Sequence, residues 1–279
     1  MLNKRILIPT DFTGVAETAI THATHTAKAI DGEIWLLHII EPGTEKSTAQ
    51  DKLQSEIDLV KSISPDTHVE VLIREGTIFE DITLAGRELG AHLIFMGTHG
   101  VKGFKQFATG SLALKVVTGS TVPYVIVQDR QMDKGGYYNI VVPMGLHKEA
   151  KQKLVNVANI ARYFNSTVHI VTPDEKDEFL ANTVKLNLKF TKHFFEEREI
   201  PYTVTICKHG SGTKFANDIL DHAQNINADL ICIMNHHESG ILNILGPSLE
   251  QVLITNHAKI PVMLVNKKAT SVGVGVFQS

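Results

Sequence analysis

The sequence has little cysteine and no excess of positive charge. Cys207 and Cys232 are its only cysteines among 279 residues, and both lie in apolar, strand-like runs. This usage argues against a disulfide scaffold and predicts two buried free thiols. A formal net charge of −3 with 43% hydrophobic residues indicates a globular chain and argues against a dedicated nucleic-acid-binding protein.

Long apolar runs are also absent, including at the amino terminus. The opening stretch MLNKRILIPTDF has a short apolar run that Pro9 and Asp11 interrupt. Such a run is far shorter than the apolar core of a signal peptide or a membrane span. We therefore expect a cytoplasmic protein without a membrane partner or a nucleic-acid partner.

What the sequence does contain is an internal repeat. The segments ILIPTDF, AHLIFM and TVPYVIV, which begin at residues 6, 91 and 121, match IVVPMGL, ADLICI and KIPVMLV, which begin at residues 140, 228 and 259. Two homologous copies of about 130 residues explain these matches most simply. The predicted boundaries are residues 1–130 for the first half, 131–138 for a linker, 139–268 for the second half and 269–279 for a tail.

Within each half, short apolar segments alternate with segments of helical periodicity. Near-continuous apolar runs such as LIFM and YVIV indicate strands covered on both faces, which is typical of a parallel sheet with helical crossovers. The sequence thus predicts an α/β fold of two tandem doubly wound domains. The predicted strands are 5–9, 33–40, 68–74, 92–96 and 123–127, then 139–143, 167–172, 202–208, 229–234 and 261–265. The predicted helices include 14–30, 46–62, 78–89, 110–119 and a longer one at 176–198.

A glycine-rich loop follows the fourth predicted strand of the first half. Gly97 follows that strand, Gly100 lies three residues on, and Gly110 precedes Ser111 at the start of a helix. Ligands of open parallel sheets gather beyond the carboxyl ends of the strands, where glycines and a helix amino terminus favour an anion. The loop predicts a nucleotide-sized anionic ligand, although the same glycines also suit plain turns. Neither a P-loop nor a strand-linked G-x-G-x-x-G motif is present.

The spacing Gly97-x-x-Gly100, nine residues, then Gly110-Ser111 resembles the G-2x-G-9x-G-[ST] signature of ATP-binding universal stress proteins. The segment ILIPTDFT, with its acidic residue Asp11, resembles the first strand of that family. The resemblance extends over nearly the whole chain as two fused family domains. It implies the adenine nucleotide alpha hydrolase-like fold, in which each domain has a five-stranded parallel sheet of order 3-2-1-4-5 with helices on both faces.

The resemblance also implies roles for residues of the first half. Asp11 would lie at the ribose or adenine, the backbone of Ile39 at the adenine edge, and the glycine-rich loop along the ribose and phosphates. ATP, or AMP or ADP, is the implied ligand, and a Mg²⁺ ion that bridges phosphate oxygens is compatible with it. The residues themselves leave open that Asp11 is a plain N-cap of the first helix. The implied binding residues are Pro9, Thr10, Asp11, Ile39, Met96, Gly97, Thr98, His99, Gly100, Gly110, Ser111 and Leu112.

The second half departs from this signature at several positions. In the matching alignment Met144 replaces Thr10, Gly145 replaces Asp11, Asn235 replaces Gly97 and Pro247 replaces Ser111. An acidic group, a glycine and an amide donor are lost together. We therefore expect the first half alone to hold ATP in the manner of the family.

In the second half, histidines gather beyond the carboxyl ends of the predicted strands, and the residues leave their role open. His147, His209 and the NHHE segment at 235–238 follow three different strands. A metal site, another small ligand, and a structural or partner-docking role are the alternatives, and no metal-ligand spacing supports the first. In the first half, His22 and His25 fall on the first helix and are expected to be partly exposed rather than ligands.

The fifth strands predict how the halves associate. PYVIVQ and PVMLVN are short apolar edge candidates, and docking them together removes an aggregation-prone edge. We expect an internal pseudo-dimer across residues 125–127 and 262–265, and a homodimer of whole chains is compatible with it.

Three functional classes fit the sequence. The leading one is a nucleotide-dependent stress-response or signalling protein that binds ATP in its first half and has no assigned catalytic residue. The second is a slow ATPase or another adenine-nucleotide enzyme, because related folds host such reactions. The third is a nucleotide-free scaffold in which the glycines persist without a ligand.

Overall fold

The structure is a computed structural model of the whole chain. It describes residues 4–41, 43, 49–98, 111–132, 135–210, 212–235 and 248–267. Cys207 and Cys232 are both buried free thiols, as predicted. No helix within these ranges combines the length and the apolar character that crossing a membrane requires. The tail at 269–279 lies outside the described residues.

Strands and helices alternate along the first half, as predicted. Helix α1 begins after its N-cap Thr13, whose side chain accepts a hydrogen bond from the backbone of Ala16, and it ends where Asp31 adopts a left-handed φ of 53°. Both ends therefore follow ordinary capping chemistry. The elements are β1 (Lys4–Thr10), α1 (Gly14–Ile30), β2 (Gly32–Ile40), α2 (Gln50–Ile63), β3 (Val69–Glu75), α3 (Ile78–Glu88), β4 (Leu93–Gly97), α4 (Ser111–Val117) and β5 (Tyr124–Val127).

The second half repeats the scheme with one longer helix. Helix α6 has 19 residues where α2 has 14, so the prediction of a longer second helix is confirmed. A 3-10 helix at Lys148–Lys153 precedes α5. The other elements are β6 (Asn139–Pro143), α5 (Leu154–Phe164), β7 (Thr167–Pro173), α6 (Glu178–Glu196), β8 (Tyr202–Cys207), α7 (Gly212–Asn225), β9 (Leu230–Asn235), α8 (Leu249–Ile254) and β10 (Val262–Asn266).

The strands of the described residues form one sheet of order β3-β2-β1-β4-β5-β10-β9-β6-β7-β8. Each half has the order 3-2-1-4-5 that the resemblance implies, and neighbours within a half are parallel. The halves join where β5 and β10 pair antiparallel, with Met263 opposite Val125. The predicted pseudo-dimer through the fifth strands is therefore confirmed.

Two hydrophobic cores fill the two faces of this sheet. One core lies under α1, α2, α5 and α6, and the other lies under α3, α4, α7 and α8. Alternation along the paired strands sends Val125 and Met263 into the first core and Ile126 and Val262 into the second. Each core therefore runs through both halves without a break at the seam.

The segment that joins the halves packs against α1. The Nε2 atom of His22 donates to the carbonyl oxygen of Arg130 at 2.8 Å, so its Nδ1 accepts from the Tyr137 hydroxyl at 2.9 Å. Burial lowers the pKa of His22 to about 4, which keeps the ring neutral. The expectation that His22 is partly exposed is wrong, because the connecting segment covers it; His25 is half-buried.

Candidate functional site

The residues predicted to bind a ligand follow β1 and β4 of the first half. Strand β1 lies between β2 and β4, and the strand order reverses at this point. In open α/β sheets, such a reversal opens a crevice beyond the carboxyl ends of the strands. We call the residues that border it, Thr10–Thr13 after β1 and Met96–Thr98 at the end of β4, the first-half corner.

Asp11 holds the turn between β1 and α1. Its Oδ1 accepts hydrogen bonds from the backbone nitrogen of Thr13 at 3.2 Å and from the Thr13 hydroxyl at 2.6 Å. The N-cap of α1 is Thr13. The alternative that Asp11 is the N-cap is therefore wrong, because Asp11 instead forms an Asx turn that orients the capping residue.

A buried carboxyl group contacts this turn from α2. The Thr10 hydroxyl accepts from the backbone nitrogen of Phe12 at 3.1 Å and donates to Oε1 of Glu56. Nδ1 of His38 donates to the Thr10 carbonyl oxygen at 2.9 Å. Glu56 is 4% exposed, and its Oε2 has no hydrogen-bond partner among the described residues. Sequence reasoning missed this residue.

Glu56 titrates near neutral pH. Burial, helped by the negative charges of Glu17 and Asp11, raises the pKa of Glu56 to about 7 even though the hydrogen bond from Thr10 lowers it. An ordinary glutamate has a pKa of about 4.3, so the folded chain holds this proton more tightly than the unfolded chain. The resulting stabilisation is complete below the ordinary pKa and is lost as the pH rises through 7.

Glu56→Gln is therefore expected to flatten the pH dependence of stability. Between pH 5 and pH 8, the wild-type free energy of unfolding should fall by about 1–3 kcal/mol more than that of the variant. Urea unfolding at both pH values measures the difference. Glu80→Gln, at an exposed position of α3, is the control and should keep the wild-type pH dependence of the unfolding free energy. If Glu56→Gln kept the wild-type pH dependence of the unfolding free energy, groups other than Glu56 would be responsible for that dependence.

The end of β4 presses against the start of α1. A Cβ atom at Gly97 would lie 2.9 Å from Cγ1 of Val15 and 3.3 Å from its carbonyl oxygen. Glycine at this position therefore lets the two loops of the corner meet. Met96 and Thr98 on either side are buried, and the Thr98 nitrogen donates to the Val127 carbonyl oxygen at 2.9 Å.

Ile39 lies on β2 beyond the end of β1. The β1–β2 register ends with Thr10 opposite His38, so Ile39 borders the corner without a β1 partner. Pro9 and Thr10 form the last two residues of β1. The structure thus brings together, at the carboxyl ends of β1, β2 and β4, Pro9, Thr10, Asp11, Ile39, Met96, Gly97 and Thr98. His99, Gly100 and Gly110 lie outside the described residues, as do the side chains of Ser111 and Leu112, while the α4 backbone begins at Ser111.

We call residues 144–146 after β6, with Asn235 at the end of β9, the second-half corner, and here side chains contact the backbone of the loop after β6. Met144, which replaces Thr10, is fully buried in the core. Asn187 of α6 is 2% exposed, and its Nδ2 donates to the carbonyl oxygens of Gly145 at 2.8 Å and Leu146 at 3.2 Å. The second helix thus contacts this corner with an amide in the second half and contacts the first-half corner with the carboxyl group of Glu56 in the first half.

Asn235, which replaces Gly97, connects its corner to the first half. Its Nδ2 donates to Oδ1 of Asn266 at 2.8 Å, and Nδ2 of Asn266 donates to the carbonyl oxygens of Val117 at 2.6 Å and Ser120 at 2.8 Å. Asn235 is 4% exposed. Gly97 thus approaches α1 closely in the first half, whereas Asn235 at the matching position contacts the first half through Asn266.

The helix that follows β9 caps itself. Ser248 Oγ accepts from the backbone nitrogen of Gln251 at 3.2 Å, and Oε1 of Gln251 accepts from the Ser248 nitrogen at 2.9 Å. This capping box occupies two amides at the start of α8. Those amides are consequently not available to an anion.

The histidines of the second half do not converge within the described residues. Nδ1 of His209 lies 3.0 Å from Oδ1 of Asp218, and the backbone nitrogen of His209 donates to Oδ2 at 3.0 Å. Across the residues that the structure describes, no three His, Cys, Asp or Glu side chains are grouped so that they could hold a metal ion. His236, His237 and Glu238 lie outside those residues.

Comparison with known proteins agrees with this architecture. The sequence model of the Universal stress protein family matches residues 2–128 and again residues 136–266. A universal stress protein of Methanocaldococcus jannaschii is 27% identical over 143 residues, which cover 46% of this chain and 83% of that protein. A second one from the same organism is 27% identical over 158 residues, which cover 46% of this chain and 96% of that protein.

Solved structures that match the chain over both halves have the same fold. The crystal structure of a universal stress protein from Archaeoglobus fulgidus superposes with a TM-score of 0.73 at 19% identity, covering 96% of this chain and 100% of that one. This likeness shows the shared fold. Because the family model matches both halves, the chain belongs to the universal stress protein family.

Proposed function

We propose that the chain binds ATP, or a related adenine nucleotide, in its first half, and that the nucleotide regulates a stress-response or signalling role in the cytoplasm. Membership of the universal stress protein family supports a role of this class. The observation that carries the proposal is the contrast between the two corners. We further propose that residues 1–130 and 139–268 are the two domains, joined by the linker at 131–138.

The close approach of β4 to α1 in the first-half corner supports the proposal. Gly97 allows the loop after β4 to lie directly against the first turn of α1. Oδ1 of Asp11 is engaged by Thr13, so Oδ2 is the oxygen that we propose accepts a hydrogen bond from a ribose hydroxyl. The backbone of Ile39 would face the adenine, and the glycine-rich loop with Ser111 would supply amides to the phosphates. A Mg²⁺ ion would then be held largely by phosphate oxygens and water.

The second-half corner supports the asymmetry. Met144 replaces Thr10 and therefore lacks its hydroxyl group. Asn187 donates to the carbonyl oxygens of the loop after β6, and Asn235 stands where the first half has Gly97. The capping box of α8 occupies amides at the matching helix start. A nucleotide would have to displace these contacts, so we propose that this half does not bind one.

Thermal unfolding with and without ATP tests the proposal. ATP with Mg²⁺ at about 100 times its Kd should stabilise the wild-type chain by about 2.7 kcal/mol. Tripolyphosphate, which lacks the base and the ribose, is the control for general anion binding and should give a much smaller effect. Absence of any shift at millimolar ATP would favour the nucleotide-free scaffold.

A further inference from the structure

The large hydrophobic side chains that are exposed within the described residues belong to the second half, apart from Tyr138 at the end of the linker. They are Tyr138, Val155, Phe179, Leu186, Phe190, Val204 and Ile206. Single exposed apolar residues are common and need no explanation, but several on one element indicate a contact surface. Three of these residues lie on α6, which makes this helix the feature to explain.

The three residues form one row along the solvent side of α6. Phe179, Leu186 and Phe190 are spaced by seven and four residues, which places them on one helix face. They are 78%, 67% and 46% exposed. At about 1.5 Å per residue, the row is about 16 Å long. We call it the α6 stripe.

The matching helix of the first half has no such row. Every exposed position of α2 carries a polar or charged side chain, as at Lys52, Gln54, Ser55 and Asp58. Both helices nevertheless bury a core-facing side against the same face of the sheet. The α6 stripe is therefore an addition to the second half rather than a requirement of the fold.

Charges beside the stripe are segregated along the helix. Acidic residues precede and begin it at Glu175, Asp177 and Glu178, whereas its middle and later turns carry Lys185, Lys189 and Lys192. Asp174 also precedes the helix, but it is ion-paired with Lys176. None of these three lysines forms an ion pair with a described residue.

The acidic residues at the far end of α6 are already engaged. Glu196 accepts from the Tyr202 hydroxyl, and Glu197 pairs with His193 at 3.2 Å and with Arg198 at 3.5 Å. Glu175 and Glu178 at the start of the stripe form no ion pair with a described residue, and the three lysines further along form none either. Such a helix is electrostatically complementary to a copy of itself that runs in the opposite direction.

We propose that the α6 stripe is a docking surface for a second copy of this chain, whose own α6 packs across it in antiparallel orientation. A two-fold axis makes the interface self-complementary, since the same residues serve on both sides. Phe179 of each copy then lies near Phe190 of the other, and Glu178 lies near the lysines. The seam between β5 and β10 is internal, so this contact would join whole chains without competing with it.

Sedimentation of the full chain at rising concentration tests the proposal. Over roughly 1 µM to 1 mM, a range suited to weak interfaces, the wild type should pass from monomer to dimer. Leu186→Glu places two carboxylates at the centre of the interface and should weaken the dimer by at least about tenfold in Kd. Ser55→Glu on α2 adds the same charge at an exposed site and should leave the Kd unchanged.

A charge reversal tests the orientation. Lys189→Glu should weaken the dimer by about three- to tenfold, because two exposed ion pairs of modest strength are replaced by repulsion. Adding Glu178→Lys to that variant restores opposite charges across an antiparallel pair and should return the Kd to within about twofold of the wild type.

Three outcomes would overturn the proposal. The first is a wild-type chain that stays monomeric throughout the concentration range. The second is a dimer that Leu186→Glu does not weaken, which would place the contact elsewhere. The third is a monomer that binds vesicles of phosphatidylglycerol and loses that binding in Leu186→Glu, which would assign the α6 stripe to an anionic lipid surface.

Discussion

Gly110→Val is expected to abolish ATP binding, whereas Gly246→Val at the matching position is expected to leave it unchanged. Gly110 ends the glycine-rich spacing and directly precedes α4, which begins at Ser111. A branched side chain there would hinder the close approach of phosphate to backbone amides on which the proposed site depends. We expect Kd to rise at least 100-fold, about 2.8 kcal/mol, as measured by isothermal titration calorimetry.

The matched pair makes this prediction discriminating. Both positions precede short helices and carry the same substitution, so general effects on folding should resemble each other. Equal loss of binding from the two variants would contradict the asymmetry. Gly97→Val is a poorer probe, because a Cβ at Gly97 meets the backbone of Val15 and would disturb the fold as well as the site.

Met263→Glu is expected to destabilise the entire chain. Met263 is fully buried, lies opposite Val125 in the antiparallel seam and contributes to a core that both halves share. A carboxylate there would be surrounded by the apolar side chains of the core, and burying a charge at such a position costs roughly 3–5 kcal/mol. Denaturant unfolding, followed by circular dichroism, should show one transition shifted to much lower denaturant.

Met263→Leu is the matched control for the seam. A volume-conserving apolar exchange should cost less than about 1.5 kcal/mol. If the halves were independent domains that merely touch, Met263→Glu would leave one half at its wild-type stability and produce two separate transitions. That result would contradict the shared cores.

The elements of the fold were predictable because their signals are local. Apolar runs such as LIFM and YVIV predicted β4 and β5 within one residue at each end. The strand order came from the family resemblance, since periodicity alone does not say which strands are neighbours. The antiparallel seam followed from the need to cover two apolar edge strands.

Two local expectations fail for different reasons: His22 is buried, and Asp11 is not the N-cap. A segment distant in sequence decides the environment of His22, whereas a residue two positions away decides the role of Asp11. Tyr137 and the connecting segment cover His22, while Thr13 takes the cap and leaves Asp11 to hold the turn.

Glu56 and the α6 stripe were missed although the sequence contains signals for both. Glu56 lies between Leu53 and Val60 at helical spacing, so it is a charged residue at a core position. Phe179, Leu186 and Phe190 follow helical spacing on the side away from the core. Each signal becomes meaningful only when the packed face of the helix is known.

The two halves thus have the same fold and different surface chemistry. The first half has the corner proposed for a nucleotide and a polar outer helix. In the second half, Asn187 and Asn235 form hydrogen bonds at the matching corner, and α6 bears the stripe. A duplicated fold with one binding site and one docking surface would let a nucleotide in one half be coupled to assembly through the other.

Native mass spectrometry of the purified chain with ATP tests the central claim most directly. The account predicts one bound nucleotide per chain, retained in Gly246→Val and lost in Gly110→Val. Two nucleotides per chain, or a single nucleotide that survives Gly110→Val and disappears in Gly246→Val, would contradict it.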